Sequence, residues 1–183
     1  MKQSILTVPD QVLREICAPV ADITRQLQEQ VIDLEETLKK ARNPEGVGLS
    51  FPQIGVLTRG FATYIDRRMN IYLNPEIVDM GDELTLGPSA DHPLLEGCLS
   101  IPHLYGPIWR SKKIKVKSID EKGREKISNL SGFSARVFLH EYDHLDGILF
   151  TDYTKRDSLP LYFHDLEKDE FIEIEDPSVV IKW

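Results

Sequence analysis

Apolar residues repeat with helical spacing in two stretches of the chain. The first stretch covers about residues 22–41, and its apolar positions i, i+4, i+7 and i+11 are Leu27, Val31, Leu34 and Leu38. The second stretch has the same spacing, with Phe133, Val137, His140 and His144. A stripe of this kind is typical of a helix that packs one face against a core. The sequence therefore predicts two amphipathic helices, the second with two histidines on its buried face.

Between and after these helices the chain has short runs rich in β-branched and aromatic residues, which are typical of strands. The runs cover residues 61–65, 71–73, 76–80, 84–86, 112–119 and 125–130, with two more in the tail at 171–174 and 179–181. Asp120 to Gly123 separates two of them and predicts a hairpin. We expect an α+β fold of mainly antiparallel strands, forming one domain over residues 1–183 with a divergent acidic segment from residue 151.

Composition excludes several classes of partner. The net charge is −8, and from residue 151 onward nine acidic residues stand against four basic ones. A general affinity for DNA or for an anionic membrane is therefore not expected. The sequence contains no apolar run of the length that a signal peptide or a membrane span requires. Two cysteines, Cys17 and Cys98, do not form a disulfide pattern, so we expect a cytoplasmic protein, with an organelle as the alternative if the chain is a mature form.

The segment from His140 to His144 carries the strongest chemical signal. Its sequence, His-Glu-Tyr-Asp-His, places two histidines four residues apart and hence one turn apart on one helical face, which suits a single metal ion. Glu141 lies about 100° around the helix from His140, where it can reach a water molecule beside the metal and act as a general base. The alternative is a pair of structural histidines in the core.

A catalytic metal usually takes three protein ligands and a water molecule, so a third ligand is needed. The extended motif of one large metallopeptidase class continues with a third histidine, but Phe150 occupies that position here. Glu167 is a candidate downstream. Cys98, in Glu-Gly-Cys-Leu-Ser at 96–100, is a candidate upstream because a thiolate binds soft or borderline metals. These residues alone do not decide between Glu167 and Cys98.

A third segment, Gly-Val-Gly-Leu-Ser-Phe-Pro-Gln at 46–53, is weak as a phosphate-binding loop because it follows a helix and lacks a third glycine. On its own it predicts a turn. Its glycines would let backbone groups approach a ligand, and Gln53 adds a side-chain amide.

Together and in this order, the three segments resemble the three motifs of the peptide deformylases, over about residues 9–153. The resemblance implies mixed, mainly antiparallel sheets around a central metal-binding helix. It also implies that Cys98, His140 and His144 bind one divalent metal ion, with ferrous iron as the native metal and zinc or nickel often in its place. The implied activity is removal of the formyl group from N-formylmethionyl peptides or nascent chains, with release of formate.

The resemblance also assigns roles to individual residues. Glu141 would transfer the proton, while the backbone N–H of Leu99 and the amide of Gln53 would stabilise the oxyanion. Family substrates bind as an added strand, which makes Val47, Gly48 and Gly97 candidates to hold the peptide backbone. Val47 and Val137 match positions that line the methionine pocket. The acidic tail makes ribosome docking through a basic tail unfavourable, and docking through another surface is the alternative.

Two other functions are compatible with these residues. One is a zincin-type metallopeptidase with Glu167 as the third ligand, and the other is a non-catalytic member that binds N-formyl peptides. Two further contacts are predicted around the motifs. One is an ion pair between Glu96 and Arg110, and the other is an interaction of Asp143 or Asp146 with a ligand imidazole. Four positions depart from the family pattern and bear on substrate preference: Ser50, Phe51, Tyr105 and Leu139.

Overall fold

The computed structural model of the chain describes residues 3–42, 45–87 and 93–183. Its α-helices are α1 (Arg25–Lys40), α2 (Gly132–His144) and α3 (Phe150–Arg156), and its 3-10 helices are Gln11–Arg14, Phe51–Ile54 and Pro177–Val179. Its strands are β1 (Gly48–Ser50), β2 (Gly60–Ile65), β3 (Arg68–Met80), β4 (Leu84–Thr85), β5 (Leu95–Cys98), β6 (Ile101–Pro107), β7 (Arg110–Ser111), β8 (Lys113–Ile119), β9 (Glu125–Ser131), β10 (Tyr162–Asp165) and β11 (Glu170–Glu173).

The strands form three antiparallel sheets, as the sequence predicts for the class of fold. The five-stranded sheet has the order β1-β2-β3-β8-β9, the four-stranded sheet has the order β11-β10-β6-β5, and β4 pairs with β7. Helix α2 contacts β1, β2, β8 and β9, and so packs against the larger sheet. Strands β1 and β5 each lie at the end of a sheet, which leaves one edge of each strand available to a further chain.

Both predicted amphipathic helices are present. Thr24 caps α1 by accepting a hydrogen bond from the Leu27 N–H, and the predicted apolar stripe of α1 is buried. In α2, Val137 and His144 are buried as expected. Phe133 is an exception, because 46% of its surface is exposed. It lies in the first turn of α2, beyond the edge of the core, and lines a cavity described below.

Several boundaries differ from the prediction for physical reasons. The predicted runs 71–73 and 76–80 belong to one strand, β3, whose pairing with β8 shifts register after Leu73. The strand predicted at 179–181 is wrong: Asp176 accepts a hydrogen bond from the Ser178 N–H and begins a 3-10 helix at Pro177. Helix α3 and strands β5 and β6 were not predicted, because each is short or interrupted by glycine and lacks a clear period.

The predicted hairpin is confirmed. Strands β8 and β9 pair from Lys113 with Ser131 to Ile119 with Glu125. Gly123 has a φ of 76°, the left-handed conformation that closes the turn. Among the described residues, no helix is long and apolar enough to cross a membrane.

Candidate metal centre

Cys98, His140 and His144 form a cluster of metal-binding side chains. Their ligand atoms all lie within 4.8 Å of one another, and Cys98 Sγ is 3.3 Å from His144 Nε2. One thiol and two imidazoles form a donor set that suits zinc or iron. Glu167, the other candidate for the third ligand, is exposed between β10 and β11 and is not part of this cluster. Of the two candidates, the fold therefore brings Cys98 to the histidines.

Local structure explains how residues distant in sequence meet here. The two histidines are one turn apart on α2, and their ring centroids are 5.1 Å apart. Cys98 ends β5 at an irregularity, because the pairing with β6 shifts register between Gly97 and Cys98. A shift of this kind redirects the side chain that follows it. Here the Cys98 side chain lies within reach of α2.

Glu96 holds one of the histidines in place. Glu96 Oε2 lies 3.2 Å from His140 Nδ1, which leaves Nε2 of His140 available for a metal. Arg110 donates two hydrogen bonds to the Glu96 carboxylate, at 3.0 and 2.9 Å, so the predicted pair is confirmed. Burial would raise the pKa of Glu96, but the charge of Arg110 and the hydrogen bond to His140 hold it well below its usual range. Glu96 is therefore ionised and orients the ring.

The network around Glu96 is larger than the sequence indicated. Arg136 donates a third hydrogen bond to Glu96, at 2.7 Å, and another to the carbonyl of Ile108 at 2.8 Å. Arg136 lies four residues before His140 on α2, so the helical spacing alone could have identified it. Arg110 also binds Asp143 at 2.6 Å. The network joins β5, β7 and α2 beneath the metal cluster.

The predicted interaction of Asp143 or Asp146 with a ligand imidazole is wrong. Asp143 accepts its hydrogen bonds from Arg110 and from the Tyr153 hydroxyl, the latter at 2.9 Å. Asp146 binds Arg59 at 2.6 Å instead. Within the described residues, the carboxylate that contacts a histidine of the cluster is Glu96, because β5 places it beside α2.

Glu141 has the surroundings of a proton carrier. It is buried, and its Oε2 makes no hydrogen bond with any residue that the structure describes. Burial raises the pKa of the Glu141 carboxyl to about 7, close to the value at which a general base works best at neutral pH. A Cβ atom at residue 48 would collide with this carboxylate, so the glycine at that position leaves the room that Glu141 occupies. A buried carboxylate oxygen without a partner is costly, and such groups are found mainly where a function requires them.

His144 and Gln53 complete the inner surface of the site. Burial lowers the pKa of His144 well below its usual value, which favours the neutral ring that a metal ligand requires. The Gln53 amide is fixed at both ends. Its oxygen accepts hydrogen bonds from the backbone N–H and the hydroxyl of Ser50, at 2.8 and 2.9 Å. Its Nε2 lies 3.1 Å from Ser100 Oγ and 3.5 Å from Cys98 Sγ.

The metal cluster lies at the base of an open cavity of about 260 Å³. The cavity lies between strands β1 and β5 and is also lined by α2. Every predicted site residue except His144, which is buried beneath it, lines this cavity: Val47, Gly48, Gln53, Gly97, Cys98, Leu99, Val137, His140 and Glu141. Phe51, by contrast, is fully buried in the core and does not narrow the cavity. Tyr105 does line it.

A thiol and two histidines beside a buried carboxylate, in a cleft between two strand edges, are the features of a single-metal hydrolase. Comparison with known proteins agrees with this class of enzyme and identifies the family. Residues 2–159 match the model of the family described as polypeptide deformylase. The chain belongs to this family, and the resemblance predicted from the three motifs is confirmed.

Individual relatives support the same assignment. Peptide deformylase 1 of Clostridium perfringens (strain 13 / Type A) is 39% identical over 148 residues, which are 79% of this chain and 92% of the relative. The crystal structure of a peptide deformylase from Thermotoga maritima is 35% identical and covers 84% of this chain and 97% of its own, with a TM-score of 0.75. A Met-Ala-Ser-bound peptide deformylase from Acinetobacter baumannii is 29% identical over 84% of this chain and 98% of its own, with a TM-score of 0.74.

Proposed function

We propose that this chain is a peptide deformylase, which hydrolyses the formamide bond of N-formylmethionyl peptides and nascent chains and releases formate. The observation that carries the proposal is the buried carboxylate of Glu141 beside the cluster of Cys98, His140 and His144, with an Oε2 that has no hydrogen-bond partner among the described residues. A protein that only bound formyl peptides would have no use for a buried carboxylate at this cost. Relatives named peptide deformylase support the same activity, because their similarity covers most of the chain.

Cys98, His140 and His144 would hold one divalent metal ion, which makes α2 the metal-binding helix of the fold. When bound, such an ion polarises the formyl carbonyl and makes water a better nucleophile near neutral pH. Ferrous iron is proposed as the native metal, with zinc or nickel able to replace it. Glu96 contributes by holding the ring of His140 in the orientation that the metal requires.

Glu141 accepts a proton from the attacking water and later donates it to the amine nitrogen of methionine as the C–N bond breaks. The oxygen of the formyl group gains negative charge during attack and needs hydrogen-bond donors. Gln53 supplies one donor through Nε2. The hydrogen bond from Ser50 to the Gln53 side-chain oxygen holds Nε2 toward Cys98. The backbone N–H of Leu99, which lines the same cavity, supplies the second.

The substrate backbone fits between β1 and β5 because each strand ends a sheet and lines the cavity. Val47 and Gly48 would bind it from one side and Gly97 from the other, as an added strand. Val137 and Val47 provide apolar contacts for the methionine side chain.

We further propose that residues 1–183 form one catalytic domain in the cytoplasm. The reported relatives are bacterial, so an organellar location gains no support.

Formate release from N-formyl-Met-Ala-Ser amide tests the proposal, with protein purified without oxygen and supplied with ferrous iron or nickel. We expect one formate and one free amino terminus for each peptide consumed. A zincin-type peptidase would instead cut an internal peptide bond, which mass spectrometry of the products distinguishes. Tight binding of the peptide without any product would favour the non-catalytic alternative.

The third metal ligand gives a separate prediction. Cys98→Ser is expected to reduce the bound metal well below one ion per chain, since a neutral hydroxyl is a poor ligand for a borderline metal. Glu167→Ala, the matched change at the other candidate, is expected to leave the metal content unchanged. Elemental analysis of both proteins after identical loading measures this. The opposite pattern would favour the zincin alternative and contradict the assignment of Cys98.

A further inference from the structure

A second, larger groove continues from the metal cavity along the outside of the protein. Its volume is about 1090 Å³, and it shares Cys98, Leu99 and Tyr105 with the cavity. A peptide whose first residue occupies the cavity can therefore extend into this groove without leaving the protein surface. Because the two spaces are continuous, the groove lies where the part of a bound peptide that follows methionine would extend.

One wall of the groove is formed by residues beyond the part of the chain that the family model matches. The match ends at residue 159, whereas β10 and β11 lie at Tyr162–Asp165 and Glu170–Glu173. His164, Leu166 and Asp169, all from this hairpin, line the groove. Leu166 is 58% exposed, so an apolar side chain of a bound peptide could cover it.

The same hairpin is attached directly to the strand that borders the cavity. Tyr162 pairs with Tyr105 and Phe163 pairs with Leu104, so β10 extends the sheet from β6. The ring of Tyr105 packs edge-on against Phe171, with a centroid distance of 5.1 Å. A Cβ atom at residue 97 would collide with this ring, which places Tyr105 directly across Gly97 at the boundary of cavity and groove.

We propose that the β10–β11 hairpin is a specificity element that binds the residues after methionine in the substrate. Leu166 forms an apolar contact surface for them, and Phe171 acts as a positioning residue that holds the Tyr105 ring. The opposite wall contains Lys40 and Arg42. Because both are cations, an uncapped peptide carboxylate would be attracted to them regardless of the hairpin, so amidated peptides provide the appropriate probes.

The inference rests on the proposed deformylase function, and the test compares N-formyl-Met-Ala amide with N-formyl-Met-Ala-Leu-Ser amide. For the wild-type protein we expect kcat/KM to be about tenfold higher for the longer peptide, a factor that corresponds to roughly 1.4 kcal/mol of contact. Leu166→Ala and Phe171→Ala should each reduce this ratio to about twofold or less, while kcat/KM for the short peptide stays within about twofold of wild type.

Ile172→Ala is the matched control, because Ile172 and Phe171 are adjacent in β11 and are 47% and 48% exposed, and successive strand residues point to opposite faces. It should keep the wild-type ratio. A wild-type ratio near one, or a ratio unchanged in both hairpin variants, would overturn the inference.

Calorimetric titration with the products Met-Ala amide and Met-Ala-Leu-Ser amide separates the proposed peptide binding by the hairpin from the proposed deformylase activity. A length-dependent affinity that the hairpin variants lose would support the groove even if no formate were released, whereas an equal affinity would overturn it.

Discussion

Glu141→Gln is expected to reduce kcat for formyl-peptide hydrolysis by about 10²–10⁴-fold, the usual contribution of a positioned proton carrier. The amide has nearly the same shape as the carboxylate but can neither accept the proton of water nor pass it to the leaving amine. Cys98, His140 and His144 are unchanged, so the metal content should remain at one ion per chain. The measurement is kcat per bound metal, from formate release and elemental analysis of the same sample.

For the same variant we expect the stability to be unchanged or higher, although the activity falls. Glu141 is buried and its Oε2 lacks a hydrogen-bond partner among the described residues, so the carboxylate costs free energy in the folded protein. Replacing it with the neutral amide is expected to leave the urea midpoint equal to or above that of the wild type. Glu76→Gln, which removes the same charge from the exposed face of β3, serves as the control for both measurements. A Glu141→Gln protein that keeps more than a tenth of wild-type kcat would exclude Glu141 as the proton carrier.

The sequence predicted which side chains meet at the metal cluster better than it predicted the contacts that support them. Cys98, His140, His144, Glu141 and Gln53 lie within three short motifs, and a histidine pair on one helical face constrains position strongly. The partners of those residues are less visible. Asp143 and Asp146 are equally plausible neighbours of a histidine in sequence, and only the packing of β5 beside α2 shows that Glu96 is the partner.

The fold shows a similar division. Helix α1 was predictable because it has a long, regular apolar period, and the β8–β9 hairpin was predictable because its two strand runs are separated by a turn sequence that ends at Gly123. Strand β5 is only four residues long, and Gly97 within it is typical of a turn when read alone. Its conformation depends on pairing with β6, which is a tertiary contact. The strand predicted at 179–181 was wrong because of a local contact: Asp176 caps a 3-10 helix there.

The buried network beneath the metal cluster gives the largest expected change in stability. Arg110 is 5% exposed and binds two carboxylates, Glu96 at 2.9 Å and Asp143 at 2.6 Å. Arg110→Met keeps much of the side-chain volume but leaves both carboxylates without their main counter-charge. Removing one partner of a buried ion pair typically costs about 3–5 kcal/mol. For a chain of this length we expect Tm to fall by roughly 6–20 °C.

Arg124→Met provides a matched control, because Arg124 binds Asp120 at 2.6 Å but is 69% exposed. An exposed pair contributes about 1 kcal/mol or less, so this variant should remain close to wild type. Urea unfolding of the three proteins, each with its metal content measured, tests the prediction. If Arg110→Met does not fold, Glu96→Gln offers a milder change that keeps the shape of the side chain and weakens its contacts with Arg110, Arg136 and His140.

Arg110 and Arg124 variants of equal stability would show that the network contributes little to folding, and its role would then be to orient His140 alone. The metal measurement distinguishes these roles, because His140 receives its only described carboxylate contact from Glu96. A protein that folds normally but binds metal more weakly would assign the network to the metal site. A protein that loses stability and metal together would show that the same buried charges support both, since Glu96 joins the strand that carries Cys98 to the helix that carries the histidines.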